Sequence, residues 1–114
     1  MVYAGVHLVI DVWGASDLDN KEKMETAMMD CVTACGAVLR GLDLFQFSTG
    51  GGIAGVAMLI QSHISVHTWP ECGYGAFDAF TCGSADPYKI IPVLQKAFRP
   101  ESIQVAEYKR GLRF

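Results

Sequence analysis

Residues 20–35 carry the pattern that most restricts what this chain can become. Met24, Ala27, Met28, Cys31, Val32 and Cys35 recur at intervals of three and four, so a helix here gathers them into one stripe. Asp17, Asp19 and Asn20 offer N-caps for it, and Gly36 stands where a C-cap glycine belongs. A helix with one apolar stripe must bury that stripe against another layer. A second amphipathic helix is expected after Asp86-Pro87, a cap followed by a first helical residue, with Ile90, Ile91, Leu94, Ala97 and Phe98 as its apolar positions. Pro92 falls inside this pattern and marks either a kink or a later start, and Pro100 closes it.

Strand patterns supply the other layer. Over residues 3–13, Val6, Leu8 and Ile10 alternate with His7, Val9 and Asp11. Residues 37–47 read as a second strand, broken by Gly50, Gly51 and Gly52. Residues 53–60 form a dense apolar run, and residues 64–68 are expected to continue extended after a small interruption. Residues 74–81 and a last segment through Ile103, Val105 and Tyr108 complete the set. The expected order is β-α-β-β-β-α-β, and the short connections favour an antiparallel sheet with both helices on one face.

At 114 residues the chain is expected to be one domain over residues 1–114, and 51% hydrophobic content is enough for one core. A charged fraction of 18% with a net charge of −3 excludes a disordered chain. It also speaks against a nucleic-acid module, since the nearest approach to a basic stripe is Lys109, Arg110 and Arg113. No apolar run reaches the roughly 18 to 20 residues that cross a bilayer, so no membrane association is expected. The opening residues lack the cationic flank and apolar run of a signal peptide. The expectation is therefore a cytoplasmic protein whose four cysteines stay reduced. So much apolar surface with so little charge also suggests that one face is covered by a second subunit.

The chemistry is concentrated in residues 61–71 and 80–83, which hold two of the three histidines, two serines, a thiol and a carboxylate. Spacing alone leaves the roles open. In an extended chain 63, 65 and 67 share one face and 62, 64 and 66 the other, so bringing Ser62 to His67 would need a bend after Ser62. Cys31 and Cys35 lie on one helix face with no histidine nearby and read as core; no metal is expected. The Gly50–Gly52 run lacks the lysine and following helix of a phosphate loop.

Ser62-His63-Ile64-Ser65-Val66-His67-Thr68-Trp69-Pro70-Glu71, then Gly73-Tyr74, then Phe80-Thr81-Cys82-Gly83, resembles the prokaryotic S-adenosylmethionine decarboxylase proenzyme family. The likeness extends to Gly5-Val6-His7-Leu8 and covers nearly the whole chain. It implies a two-layer α/β sandwich of the α+β class, doubled in a homodimer whose sheets face one another as αββα, with sites completed by both subunits. It also implies a self-processing enzyme cut between Gln61 and Ser62, where Ser62 becomes a pyruvoyl group. Such a ketone forms a Schiff base with the substrate amine and serves as an electron sink for decarboxylation. By motif position His67 would be an acid/base in processing, and Cys82 would protonate the decarboxylated carbon. Glu71 would accept hydrogen bonds from the substrate ribose, and the aromatic rings of Phe45, Phe47 or Trp69 would stack on its adenine. His7 would be a buried strand residue near the site, His63 a structural residue at the processing turn, and Cys72 a variable position.

Two departures from the family pattern matter. Gln61 stands where the family usually has glutamate, which removes a charge and keeps the size. Ala54 stands in Gly52-Ile53-Ala54-Gly55 where the family typically has a serine that donates a proton during processing; Thr49 or a water would have to replace it. The leading expectation is decarboxylation of S-adenosylmethionine, which makes the aminopropyl donor for spermidine. The alternatives are a pyruvoyl decarboxylase of arginine or ornithine, and an uncleaved homologue acting as partner or regulator of an active subunit.

Overall fold

The computed structural model describes residues 2–113. Asn20 caps α1 (Lys21–Cys35) by accepting a hydrogen bond from the Lys23 amide at 3.0 Å. Gly36 ends that helix at φ 79, a left-handed conformation that costs glycine little. Six strands surround the two helices in sequence: β1 (Gly5–Trp13), β2 (Leu39–Gln46), β3 (Ile53–Leu59), β4 (Ser62–Trp69), β5 (Tyr74–Thr81) and β6 (Ser102–Arg110). They form one sheet in the order β2-β3-β4-β5-β1-β6, with every neighbouring pair antiparallel. The two-layer antiparallel architecture is as the sequence led one to expect.

One element differs. Residues 53–68 are not a single interrupted extended run but two strands folded back on each other. Leu59 pairs with Ser62, so Ile60 and Gln61 alone make the hairpin turn. Gln61 takes φ 64 there, and that reversal is what splits the run. The order is thus β-α-β-β-β-β-α-β. Pro92 produces no kink: a short 3-10 turn at Pro87–Lys89 precedes α2 (Ile90–Phe98), and the proline sits in the first helical turn, where its missing N–H has no partner to lose.

Strand alternation sorts residues onto two faces. Leu8, Ile10 and Val12 of β1, Ile53 and Ala57 of β3, Ile64 and Val66 of β4, and Phe77 and Ala79 of β5 are buried against the helices. There they meet the α1 stripe (Met24, Ala27, Met28, Cys31, Val32, Cys35) together with Ile90, Leu94 and Phe98 of α2. All four cysteines are free, and burial pushes the Cys31 thiol up to about 12. Among the described residues, the opposite face carries no helix. No helix among the described residues is long and apolar enough to cross a membrane.

Candidate active site

The β3–β4 turn and the end of β5 bring three of the expected residues together. Ser62 opens β4 and is buried, with its side chain on the helix side of the sheet. The Cys82 amide donates to Ser62 Oγ at 3.4 Å, and Cys82 Sγ donates to the carbonyl oxygen of Gln61 at 3.0 Å. The bond between Gln61 and Ser62 therefore has a hydroxyl on one side and a thiol on its carbonyl. Gln61 holds a left-handed φ that costs a non-glycine residue about 1–2 kcal/mol, strain that is stored beside that bond. Gly5 makes the cluster possible, because a Cβ there would lie 2.5 Å from the Thr81 carbonyl oxygen and 3.0 Å from the Phe80 ring. A side chain at position 5 would push the end of β5, and Cys82 with it, out of place.

His67 is not part of this group. No bend follows Ser62: β4 runs straight from Ser62 to Trp69, so His67 lies on the open face, about 16 Å along the strand. Its cross-strand neighbour is Ala54, the position where the expected hydroxyl is missing. Around His67 stand Phe47, tilted at 5.7 Å between ring centroids, and Trp69, stacked at 4.0 Å. Phe45 meets Phe47 edge to face at 5.2 Å. Glu71 follows in the 3-10 turn Pro70–Cys72, with no hydrogen-bond or ion-pair partner among the described residues. Cys72 is exposed in the same turn, and Thr49 lies in the exposed turn between β2 and β3. The expected residues therefore fall into two clusters at opposite ends of β4: Gln61, Ser62 and Cys82 at one end, and Phe47, His67, Trp69 and Glu71 at the other.

Between them lies a network that the sequence reading did not assemble, although it placed His7 near the site; His63, expected at the turn, is instead in β4 and faces the same carboxylate. His7 Nε2 meets Asp78 Oδ2 at 2.5 Å, Ser65 Oγ donates to the other oxygen of that carboxylate, and His63 Nε2 is 3.5 Å from Oδ2. Arg110 Nη1 lies 3.0 Å from His7 Nδ1. Arginine only donates, so Nδ1 accepts and the His7 proton sits on Nε2, facing Asp78. Ligand atoms of His7, His63 and Asp78 lie within 4.8 Å of one another, close enough to share a cation. A metal on His7 Nε2 would displace that proton and needs an acceptor, not Arg110, behind Nδ1. As built, the cluster is a closed set of hydrogen bonds. Its one signal in the sequence was an aspartate at position 78 between Phe77 and Ala79, a charge where a two-sided apolar strand would not carry one.

The family model described as S-adenosylmethionine decarboxylase matches residues 6–111. The chain belongs to the S-adenosylmethionine decarboxylase family. A relative from Thermomicrobium roseum, named S-adenosylmethionine decarboxylase proenzyme, is 42% identical over 109 residues, covering 95% of this chain and 94% of its own. One of the same name from Methanococcus maripaludis strain C7 is 44% identical over 115 residues, covering 98% and 93%. The crystal structure of the adenosylmethionine decarboxylase from Aquifex aeolicus superposes with a TM-score of 0.88 at 28% identity, over 100% of this chain and 96% of that one. The family fold is thus complete here, and both clusters lie inside the matched residues.

Proposed function

We propose that this chain is a self-cleaving, pyruvoyl-dependent decarboxylase of S-adenosylmethionine, the molecule its relatives are named for. The observation that carries the reading is the Cys82 thiol on the Gln61 carbonyl oxygen, beside the Ser62 hydroxyl. Ser62 Oγ adds to the Gln61 carbonyl carbon while Cys82 Sγ–H stabilises the developing oxyanion. Collapse breaks the C–N bond and leaves an ester, with the Ser62 nitrogen as a free amine. Removal of the Ser62 Cα proton then expels the Gln61 carboxylate, and the resulting dehydroalanine hydrolyses with loss of ammonia. The residues fit the product: the serine is in place, and the thiol lies against the same position. The pyruvoyl group supplies an electron sink for the carbanion left by loss of carbon dioxide. Cys82 Sγ delivers the proton that quenches that carbanion.

His67 serves this chemistry from a second copy of the chain. The open face exposes Val9, Phe45, Phe47, Met58 and Tyr108, apolar surface that a partner would cover. When two open faces meet about a two-fold axis with β4 strands antiparallel, the His67 end of one copy lies over the Ser62 end of the other. His67, Trp69, Phe47 and Glu71 then complete the partner's site: His67 as acid/base, Phe47 against adenine, and the carboxylate on the ribose hydroxyls, while Trp69, its faces taken by His67 and Tyr74, backs the imidazole.

Intact-mass spectrometry after incubation at neutral pH tests the reading. Replacement of the 12.4 kDa species by fragments 1–61 and 62–114, the second with a blocked N-terminus, is the expected result. Release of carbon dioxide from S-adenosylmethionine, and not from arginine or ornithine, then assigns the substrate. A chain that stays whole defeats the autonomous enzyme. Ala54 opposite His67 is the observation that favours the second reading, an uncleaved partner subunit.

A further inference from the structure

His67 makes no hydrogen bond and no ion pair among the described residues, although a histidine that moves protons is commonly oriented through its second ring nitrogen. Instead it is the first plate of a stack that crosses three strands. Its ring lies 4.0 Å from Trp69 at 20°, Trp69 lies 5.1 Å from Tyr74 at 21°, and Tyr74 lies 4.3 Å from Trp13 at 22°. The far end is tethered: Tyr74 Oη donates to Asp11 Oδ1 at 2.7 Å, and this bond to a carboxylate holds the phenol proton more firmly than usual.

The backbone is shaped to align these plates. Gly73 takes φ 63, which turns the chain from Trp69 back to its cross-strand partner Tyr74. Its carbonyl accepts the Ala15 amide at 3.0 Å, which fastens the turn to the end of β1. The Trp13 carbonyl in turn accepts the Glu101 amide at 2.8 Å. None of the four rings belongs to the helix-covered core, and Trp13 is 42% exposed, so the stack is no part of what holds the two layers together.

We propose that Asp11, Tyr74 and Trp13 are positioning residues that aim the His67 imidazole through this stack, leaving both of its ring nitrogens free for the reacting groups. The proposal rests on the assignment of His67 in processing. In Trp13→Leu the stack loses its outer plate, and in Tyr74→Phe it keeps the ring and loses the tether. An aromatic contact is worth about 0.5–1.5 kcal/mol, so each variant should slow cleavage about two- to tenfold. Asp11→Asn keeps an acceptor for Tyr74 and should cleave near the wild-type rate, whereas Asp11→Ala should match Tyr74→Phe.

The second readout is the NMR signature of His67, whose ring protons the stacked Trp69 face should shift upfield; this shift should shrink in Trp13→Leu, Tyr74→Phe and Asp11→Ala. Tyr88→Phe removes a similar tyrosine–carboxylate bond to Glu107 (2.8 Å), away from the stack, and should change neither readout. Unmoved His67 signals, or moved signals with unchanged cleavage, overturn the proposal. A His67→Ala chain that cleaves at the wild-type rate instead removes the assignment of His67 beneath it, and the ring-proton shifts separate the two failures.

Discussion

The two faces of one sheet are built from alternate residues of the same strands, yet they are held by different forces. On β4, Ile64 and Val66 face the helices and are buried among hydrocarbon, while His63, Ser65 and His67 face away and are surrounded by carboxylate, guanidinium and aromatic rings. The covered face is cohesive in any orientation that fills space, since apolar burial is non-directional. The open face depends on direction: the Arg110–His7–Asp78–Ser65 chain and the Trp13–Tyr74–Trp69–His67 stack each fix a ring plane or a proton. Ser62 is the exception that shows what the arrangement demands. It is the proposed nucleophile, yet it lies on the covered side, at the strand end where a turn exposes the bond ahead of it.

The division can be broken most completely at that exception. Ser62→Ala should fold as before and remain a single 12.4 kDa species in a mass spectrum indefinitely. Co-expressing Ser62→Ala with His67→Ala should restore cleavage of the His67→Ala chain, whose serine meets the partner's imidazole; two chains that both stay whole would show that the site lies within one subunit. On the covered face, Leu94→Ala removes a fully buried side chain and should cost about 2–5 kcal/mol in urea unfolding. If Val9→Ala on the open face cost as much in an isolated protomer, the distinction between the faces would fail. Ala54→Ser places a hydroxyl beside His67 and should accelerate cleavage severalfold in a time course, with stability within about 0.5 kcal/mol of wild type.

The covered face also leaves a signature in alkali. The Cys31 thiol is raised from 9.0 to about 12 by burial. The folded protein therefore keeps its proton where the unfolded chain gives it up. This contribution to stability is complete below pH 9 and lost as pH climbs through 12. Unfolding scans of Cys31→Val should show a flatter alkaline limb.

The covered face was legible in the sequence because helical and strand periodicities are local. The α1 stripe, Gly36 as its stop and the full extent of β5 follow from spacing alone. The hairpin at Ile60–Gln61 was hidden because neither residue is a usual turn former; only pairing with the flanking strands forces Gln61 into its left-handed conformation. The site was legible as a motif and not as a geometry. Residues 62 and 67 are close in sequence and share a motif, and it takes the straightness of β4 to show that one chain keeps them apart. Asp78, Tyr74 and Asp11 were missed because Asp78 meets His7 and Ser65 from 71 and 13 residues away and Tyr74 meets Asp11 from 63, distances that no local pattern reports.

A cut at the β3–β4 turn would leave β1, α1, β2 and β3 in one piece and β4, β5, α2 and β6 in the other. The strand order places β1 between β5 and β6, so each piece reaches into the sheet of its sibling. Severing the backbone there cannot release either half, because the pairings β3–β4, β1–β5 and β1–β6 all cross the division. Maturation by such a cut would be a loss of connectivity without a loss of shape: the new end would appear inside a scaffold already assembled and be held there by interlocked fragments that come apart only by unfolding.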